Sequence, residues 1–157
     1  MHVQYEAPGW GVGELWLENG APVWHELPRP LRTPNNPRDF PTEGARALAE
    51  RLQAYFAGEP DDFADIEVEF DGATDFQRGL TAALRAVARG EVVSYGELAA
   101  LAGRPGAARA AGTFCARNRL PIIVPCHRVV SADGLGSYGT LGLPYKRRLL
   151  ELEGAAL

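Results

Sequence analysis

A cysteine, a histidine and an arginine, Cys126, His127 and Arg128, interrupt an apolar run that begins at Pro121 and continues through Val129 and Val130. Proline stiffens such a run and its apolar residues mark it for burial, so a polar triplet set inside it must find partners or perform chemistry. A thiol with an ordinary pKa of ~8.5 is only a few per cent thiolate at pH 7, and burial lowers that fraction further. Nucleophilic chemistry at Cys126 therefore needs an adjacent base, and His127 is the neighbour able to serve. The competing interpretation of a Cys-His dipeptide is a small core thiol beside a satisfied imidazole.

The elements that would position this triplet follow from length, composition and pattern. With 157 residues, 46% of them hydrophobic, the chain can form one ordinary domain or two small ones around a packed core. It contains no apolar stretch of membrane-spanning length and no secretory signal, which predicts a soluble protein of the cytoplasm with no membrane partner. Cys115 and Cys126 are the two cysteines, and without an export signal they are expected as free thiols. No Cys-x-x-Cys or His-rich cluster calls for a metal, and no cofactor is expected.

Charge divides the chain. Residues 1–72 carry five arginines against fourteen acids, a net −9, and residues 73–157 carry eleven basic residues against six acids, a net +5. Such a split fits two lobes of which only the second meets a polyanion, and it equally fits ordinary solvated surface on both. A boundary is placed at Asp71-Gly72. Before it, strand-like pieces at Leu15–Leu17 and Val23–Leu27, a Pro/Asn-rich loop from Pro28 to Pro41, a helix from about Thr42 to Phe56 and the alternating run Ile66–Phe70 predict a small α+β domain over residues 1–72. Trp10, Trp16 and Trp24 are expected in core or edge packing.

Residues 73–157 are expected to be mostly helical. Thr74-x-x-Gln77 is a capping box opening a helix that ends at Gly90, and Ser94-x-x-Glu97 opens a second that stops at Gly103. Pro105 then takes the place of a first helical residue, so a third helix is expected over about Pro105–Ala116. Two short helices meeting at a glycine have the form of a helix-turn-helix, with the second helix presented to DNA. That helix is built of Gly106, Ala107, Ala108, Ala110, Ala111 and Gly112, with Arg104, Arg109 and Arg117 as its long polar groups. Few of these side chains could discriminate base edges, so the pattern predicts close approach to a groove, with Arg109 able to enter the base stack. Helix–helix packing by small residues is the alternative.

These residues together resemble the O6-alkylguanine-DNA alkyltransferase (methylated-DNA--protein-cysteine methyltransferase) family. The resemblance spans residues 74–154 and rests on Phe76-Gln77, Gly90–Tyr95, Ala107–Ala110, Asn118, Pro125–Val130, Tyr138, Lys146 and Leu149-Leu150-x-x-Glu153-Gly154. Residues 1–72 match the family's variable N-terminal domain in size and make-up. The resemblance implies a single-turnover repair enzyme, a monomer acting on double-stranded DNA that carries O6-alkylguanine, with O4-alkylthymine as a further donor. The alkyl group would pass irreversibly from a flipped base to Cys126.

By the same resemblance, His127 takes the thiol proton through a water and Glu153 orients the imidazole. A water relay suits an extended chain, in which neighbouring side chains point to opposite faces. Asn118 ties the helix end to the active-site turn, Tyr95 donates to the departing guanine, Lys146 supports the developing charge, and Arg109 fills the place of the extruded nucleotide. Val129, Val130, Tyr138, Gly139 and Thr140 are expected around the base, and Ser94, Arg104, Ala108, Arg109, Arg117, Arg119 and Arg128 on the DNA. Arg119 stands where many relatives have proline and should add a phosphate contact. Cys115, without an adjacent histidine, is expected to pack and not to accept alkyl. A lesion binder without transfer and a cysteine hydrolase are the rival functions.

Overall fold

The computed structural model describes residues 1–30 and 41–157, and its fold is α+β. Residues 31–40, the greater part of the expected Pro/Asn-rich loop, lie outside the described residues. The chain forms two compact units, Met1–Val68 and Glu69–Leu157.

In the first unit, strands β1 (His2–Ala7), β2 (Gly11–Glu18) and β3 (Ala21–Arg29) form an antiparallel meander. The β2–β3 turn is Asn19-Gly20, both at positive φ (51° and 81°), the conformation that matches strand twist in a two-residue hairpin. Alternation sends Val3, Tyr5, Ala7, Leu15, Leu17 and Leu27 inward. Helix α1 (Glu43–Phe56), capped by the Thr42 hydroxyl, supplies Ala45, Leu48, Leu52 and Tyr55 to the same core. Trp10 is buried edge-on to Phe56, whereas Trp24 is exposed and is Trp16's register partner.

Two expectations change here. β1 was not anticipated, although Val3, Tyr5 and Ala7 alternate. Ile66–Phe70, expected as a strand, is a bend followed by irregular chain: its alternation finds no neighbouring strand to pair with among the described residues.

The second unit contains α2 (Asp75–Arg85), α3 (Tyr95–Leu101), α4 (Ala108–Ala116) and α5 (Gly142–Leu152). Both capping boxes form with reciprocal side-chain to backbone hydrogen bonds. Leu80, Leu84, Leu98, Leu120, Ile123, Leu149 and Leu150 make the core. Two short strands, β4 (Val93–Ser94) and β5 (Val129–Val130), pair in parallel, Val93 opposite Val129 and Ser94 opposite Val130.

α2 stops at Arg85, short of Gly90, and α4 starts at Ala108, three residues after Pro105. The late start of α4 has a local cause: Arg104–Ala107 close a turn through the Ala107 amide, with Gly106 at φ 92°. No helix among the described residues is long and apolar enough to cross a membrane.

Candidate active site

The run from Ile122 to Val129 is buried throughout. Its entry is unusual: Ile122 has φ 76°, a conformation that a β-branched residue holds only where its surroundings impose it. Asn118, just beyond α4, supplies part of that restraint. Its amide donates to the Val124 carbonyl at 2.8 Å while its oxygen accepts from the Leu120 amide at 3.0 Å, pinning both ends of the loop. Cys126–Arg128 is not extended, as the sequence suggested, but one turn of 3-10 helix closed by the Arg128 amide on the Pro125 carbonyl at 3.0 Å.

His127 is fully buried, with Nε2 3.0 Å from Oε2 of Glu153, the residue that caps the C-terminus of α5. The imidazole N–H lies off the line of a good hydrogen bond, so the contact is a close electrostatic one. Arg128 completes the group. It was expected on DNA, but it is buried and turned inward, its Nε and Nη2 donating to the two Glu153 oxygens at 3.0 and 2.8 Å and its Nη1 to the Val87 carbonyl at 2.7 Å. With its fork matched to both oxygens of a carboxylate and its side chain buried, this guanidinium is turned away from any phosphate at the surface.

Burial and these partners set the proton affinities. Burial pushes the Cys126 thiol up, against a smaller opposing pull from the Asn118 amide, Lys146 and the Tyr138 hydroxyl. Burial lowers His127 by more than Glu153 restores, so the imidazole is neutral at pH 7. Burial works against the Glu153 charge, yet His127 and Arg128 together hold its carboxyl well below the ordinary range. The arrangement is a neutral base beside a protonated thiol, with a permanent anion behind the base.

Lys146 is fully buried on α5. Its ammonium donates to the Val129 carbonyl at 2.5 Å and the Ser137 carbonyl at 3.3 Å, stands 5.9 Å from the centre of the Tyr95 ring, and is depressed by burial. Tyr95 is half-buried, and burial raises its hydroxyl. Gly136, at φ 82°, packs against that hydroxyl so closely that a Cβ there would lie 2.9 Å from it. Cys115, on α4, is pushed up to about 12 by burial and by its proximity to Cys126.

The structure thus gathers Cys126, His127, Glu153, Asn118, Tyr95, Tyr138 and Lys146. Val129, expected against the base, is wholly in the core and contributes its carbonyl to Lys146; Val130 is half-buried. Gly139 and Thr140 are exposed, in a 3-10 turn before α5. Ser94 caps α3, Ala108 opens α4, and Arg104 is exposed with its guanidinium 4.8 Å above the Phe76 ring. Arg109, Arg117 and Arg119 are exposed and line a groove between α2 and α4. The carbonyls of Val87, Val124 and Ser137 were missed by sequence reasoning, because any residue type can supply a carbonyl.

Comparison with known proteins bears on this site. Residues 75–155 match the family described as 6-O-methylguanine DNA methyltransferase, DNA binding domain. A methylated-DNA--protein-cysteine methyltransferase of Mycolicibacterium paratuberculosis is 43% identical over 155 residues, covering 96% of this chain and 92% of the relative. Among solved structures, Mycobacterium tuberculosis OGT in complex with DNA is similar with a TM-score of 0.78 at 39% identity, over 98% of this chain and 92% of that one. An O6-methylguanine DNA methyltransferase from Methanococcus jannaschii aligns with a TM-score of 0.72 at 26% identity, over 100% and 95%.

Proposed function

Since this chain belongs to the 6-O-methylguanine DNA methyltransferase family, we propose that it repairs alkylated DNA by moving one alkyl group from O6 of a flipped guanine, or O4 of thymine, onto Cys126. Its activity is that of a methylated-DNA--protein-cysteine methyltransferase. The observation that carries the assignment of residues is the buried trio in which neutral His127, next to the Cys126 thiol, faces a Glu153 carboxylate already locked by Arg128.

In this reading the thiol proton passes through a water to Nδ1 of His127, the ring nitrogen turned away from Glu153. The Cys126 sulfur then attacks the alkyl carbon, the carbon–oxygen bond breaks, and its electron pair leaves with guanine O6. The imidazolium is stabilised by Glu153, whose charge is present before the reaction begins. Tyr95 supplies a proton toward the departing base and Lys146 offsets its negative charge. A thioether cannot return the sulfur, so each molecule acts once.

α3 and α4 serve as a helix-turn-helix in which Ala108 and Ala110 let α4 approach the minor groove, and Arg109 fills the gap left by the flipped nucleotide. Arg104, Arg117 and Arg119 hold phosphates.

The test is mass spectrometry of the protein mixed with a duplex containing O6-methylguanine. The expected result is one added methyl on the peptide carrying Cys126 and none in Cys126→Ala. Transfer that persists in that variant removes Cys126 from the mechanism, tight binding with no mass gain assigns a lesion binder, and repeated turnover assigns a hydrolase.

A further inference from the structure

We infer that the groove between α2 and α4 takes, in place of a duplex, an unpaired nucleotide of a single strand, with its base on Phe70, Phe76 and Phe114 and its phosphates on Arg109, Arg117 and Arg119. The inference rests on the reading of α4 as the helix that meets DNA. The groove is a cavity of about 750 Å³ within the second unit, and neither Cys126 nor His127, Tyr95 or Lys146 lines it. Of the residues gathered around Cys126, Asn118 alone reaches its lining, so the groove adjoins that site without containing the sulfur.

Two features define what it would hold. Its apolar lining includes three phenylalanine rings, together with Leu80, Ala107 and Ala110, and cavities of this size suit a flat small-molecule group. Its cations are uncompensated: Arg109, Arg117 and Arg119 make no ion pair among the described residues, and Asp71 is the single acid in the lining. Residues 98–132 contain five arginines and no acid at all. Of these five, Arg128 is committed to Glu153 and Arg104 lies over Phe76, which leaves the three at the groove.

A ring-lined floor bordered by free guanidinium groups is a stacking platform with an electrostatic guide, the combination that holds single-stranded nucleic acid without regard to sequence. Arg109 and Arg117 are eight residues apart, about 12 Å along a helix, so they suit a chain of repeated anions better than one isolated anion. An acidic protein segment would satisfy the arginines, but the three rings call for a ligand that carries flat aromatic faces at regular intervals.

The experiment is fluorescence anisotropy of a labelled oligothymidylate with the full-length protein, beside an abasic strand of equal length. Native protein is expected to prefer the strand with bases by about tenfold. Phe114→Leu and Phe70→Ala, each first shown to keep a cooperative thermal transition, are expected to remove most of that preference. Equal affinity of the native protein for both strands overturns the inference whatever its transfer activity, whereas absent methyl transfer with the preference intact overturns the alkyl-acceptor reading alone. Should the variants not fold, photocrosslinking of native protein to a strand carrying 5-iodouracil decides the location. Crosslinks at Phe70, Phe76 or Phe114 support the groove, and crosslinks confined to the peptides carrying Cys126 and Tyr138 overturn it. A phenylalanine-containing acidic peptide that binds more tightly than the strand and displaces it would assign the groove to a protein partner and also overturn the inference.

Discussion

His25 in the first unit and His127 in the second are almost equally buried, at 3% and 0% exposure. His25 meets the Tyr5 hydroxyl at 2.6 Å, and Tyr5 in turn stacks with Phe56. His127 has a carboxylate at 3.0 Å, an arginine on that carboxylate's other side, and a thiol as its covalent neighbour. Both imidazoles are removed from water, and at His127 the Glu153 carboxylate is placed to stabilise the charged form of the ring while Cys126 adjoins it in the chain. Burial raises the stakes of a polar group; the identity of its partners decides whether the result is packing or catalysis.

Replacing the anion should break the contrast most severely. Glu153→Gln leaves Arg128 buried without a counter-charge, and removing one member of such a pair costs about 3–5 kcal/mol. Denaturant unfolding should show that loss together with a collapse of transfer to free O6-benzylguanine; full activity in a stable variant would remove Glu153 from the base's support. Next in size is Arg109→Ala. Transfer to a lesion in duplex DNA should fall by about tenfold or more, and transfer to free O6-benzylguanine far less, because only the duplex presents a gap to fill. Equal losses on the two substrates would contradict the finger role.

The pH profile sharpens the comparison more gently. His127 is lowered from 6.5 by burial, so it stays deprotonated at every pH above that value and gains a proton only below it. Transfer to the free base should therefore be flat from about pH 6.5 to 8 and decline on the acid side. A midpoint above 6.5 would mean that Glu153 outweighs desolvation. The smallest effect belongs to the first unit: Tyr5→Phe should cost about 1–3 kcal/mol by depriving His25 of its hydroxyl partner, while the rate of transfer stays as it was.

What could be read from the chain alone was local. Thr74 with Gln77 and Ser94 with Glu97 announced two helix starts because a capping box closes within four residues, and the apolar face of α1 was visible because its spacing follows the helical period. The burial of Cys126 and His127 was legible from the prolines and aliphatic residues around them. Arg128 was misplaced because its partner, Glu153, lies 25 residues further on, and a basic residue in a basic half looks like a surface group until that partner is known. The Ile66–Phe70 alternation was real, but a strand needs a neighbour, and periodicity does not reveal whether one exists. The 3-10 turn at Cys126–Arg128 depends on an Asn118 clamp eight residues upstream of the thiol, which no pattern of hydropathy encodes.

The two-residue ladder between β4 and β5 carries a mechanical consequence. Ser94, at the threshold of α3, is register partner to Val130, and Val93 to Val129, immediately after the turn that holds the Cys126 sulfur. With Asn118 fastening the far end of α4 to the Val124 carbonyl, two residues before Cys126, the helix pair is tied at both of its extremities to the segment that carries the thiol. A force applied to those helices would be carried through both fastenings to the Cys126 segment, so that helices and sulfur move together as one stiff tool.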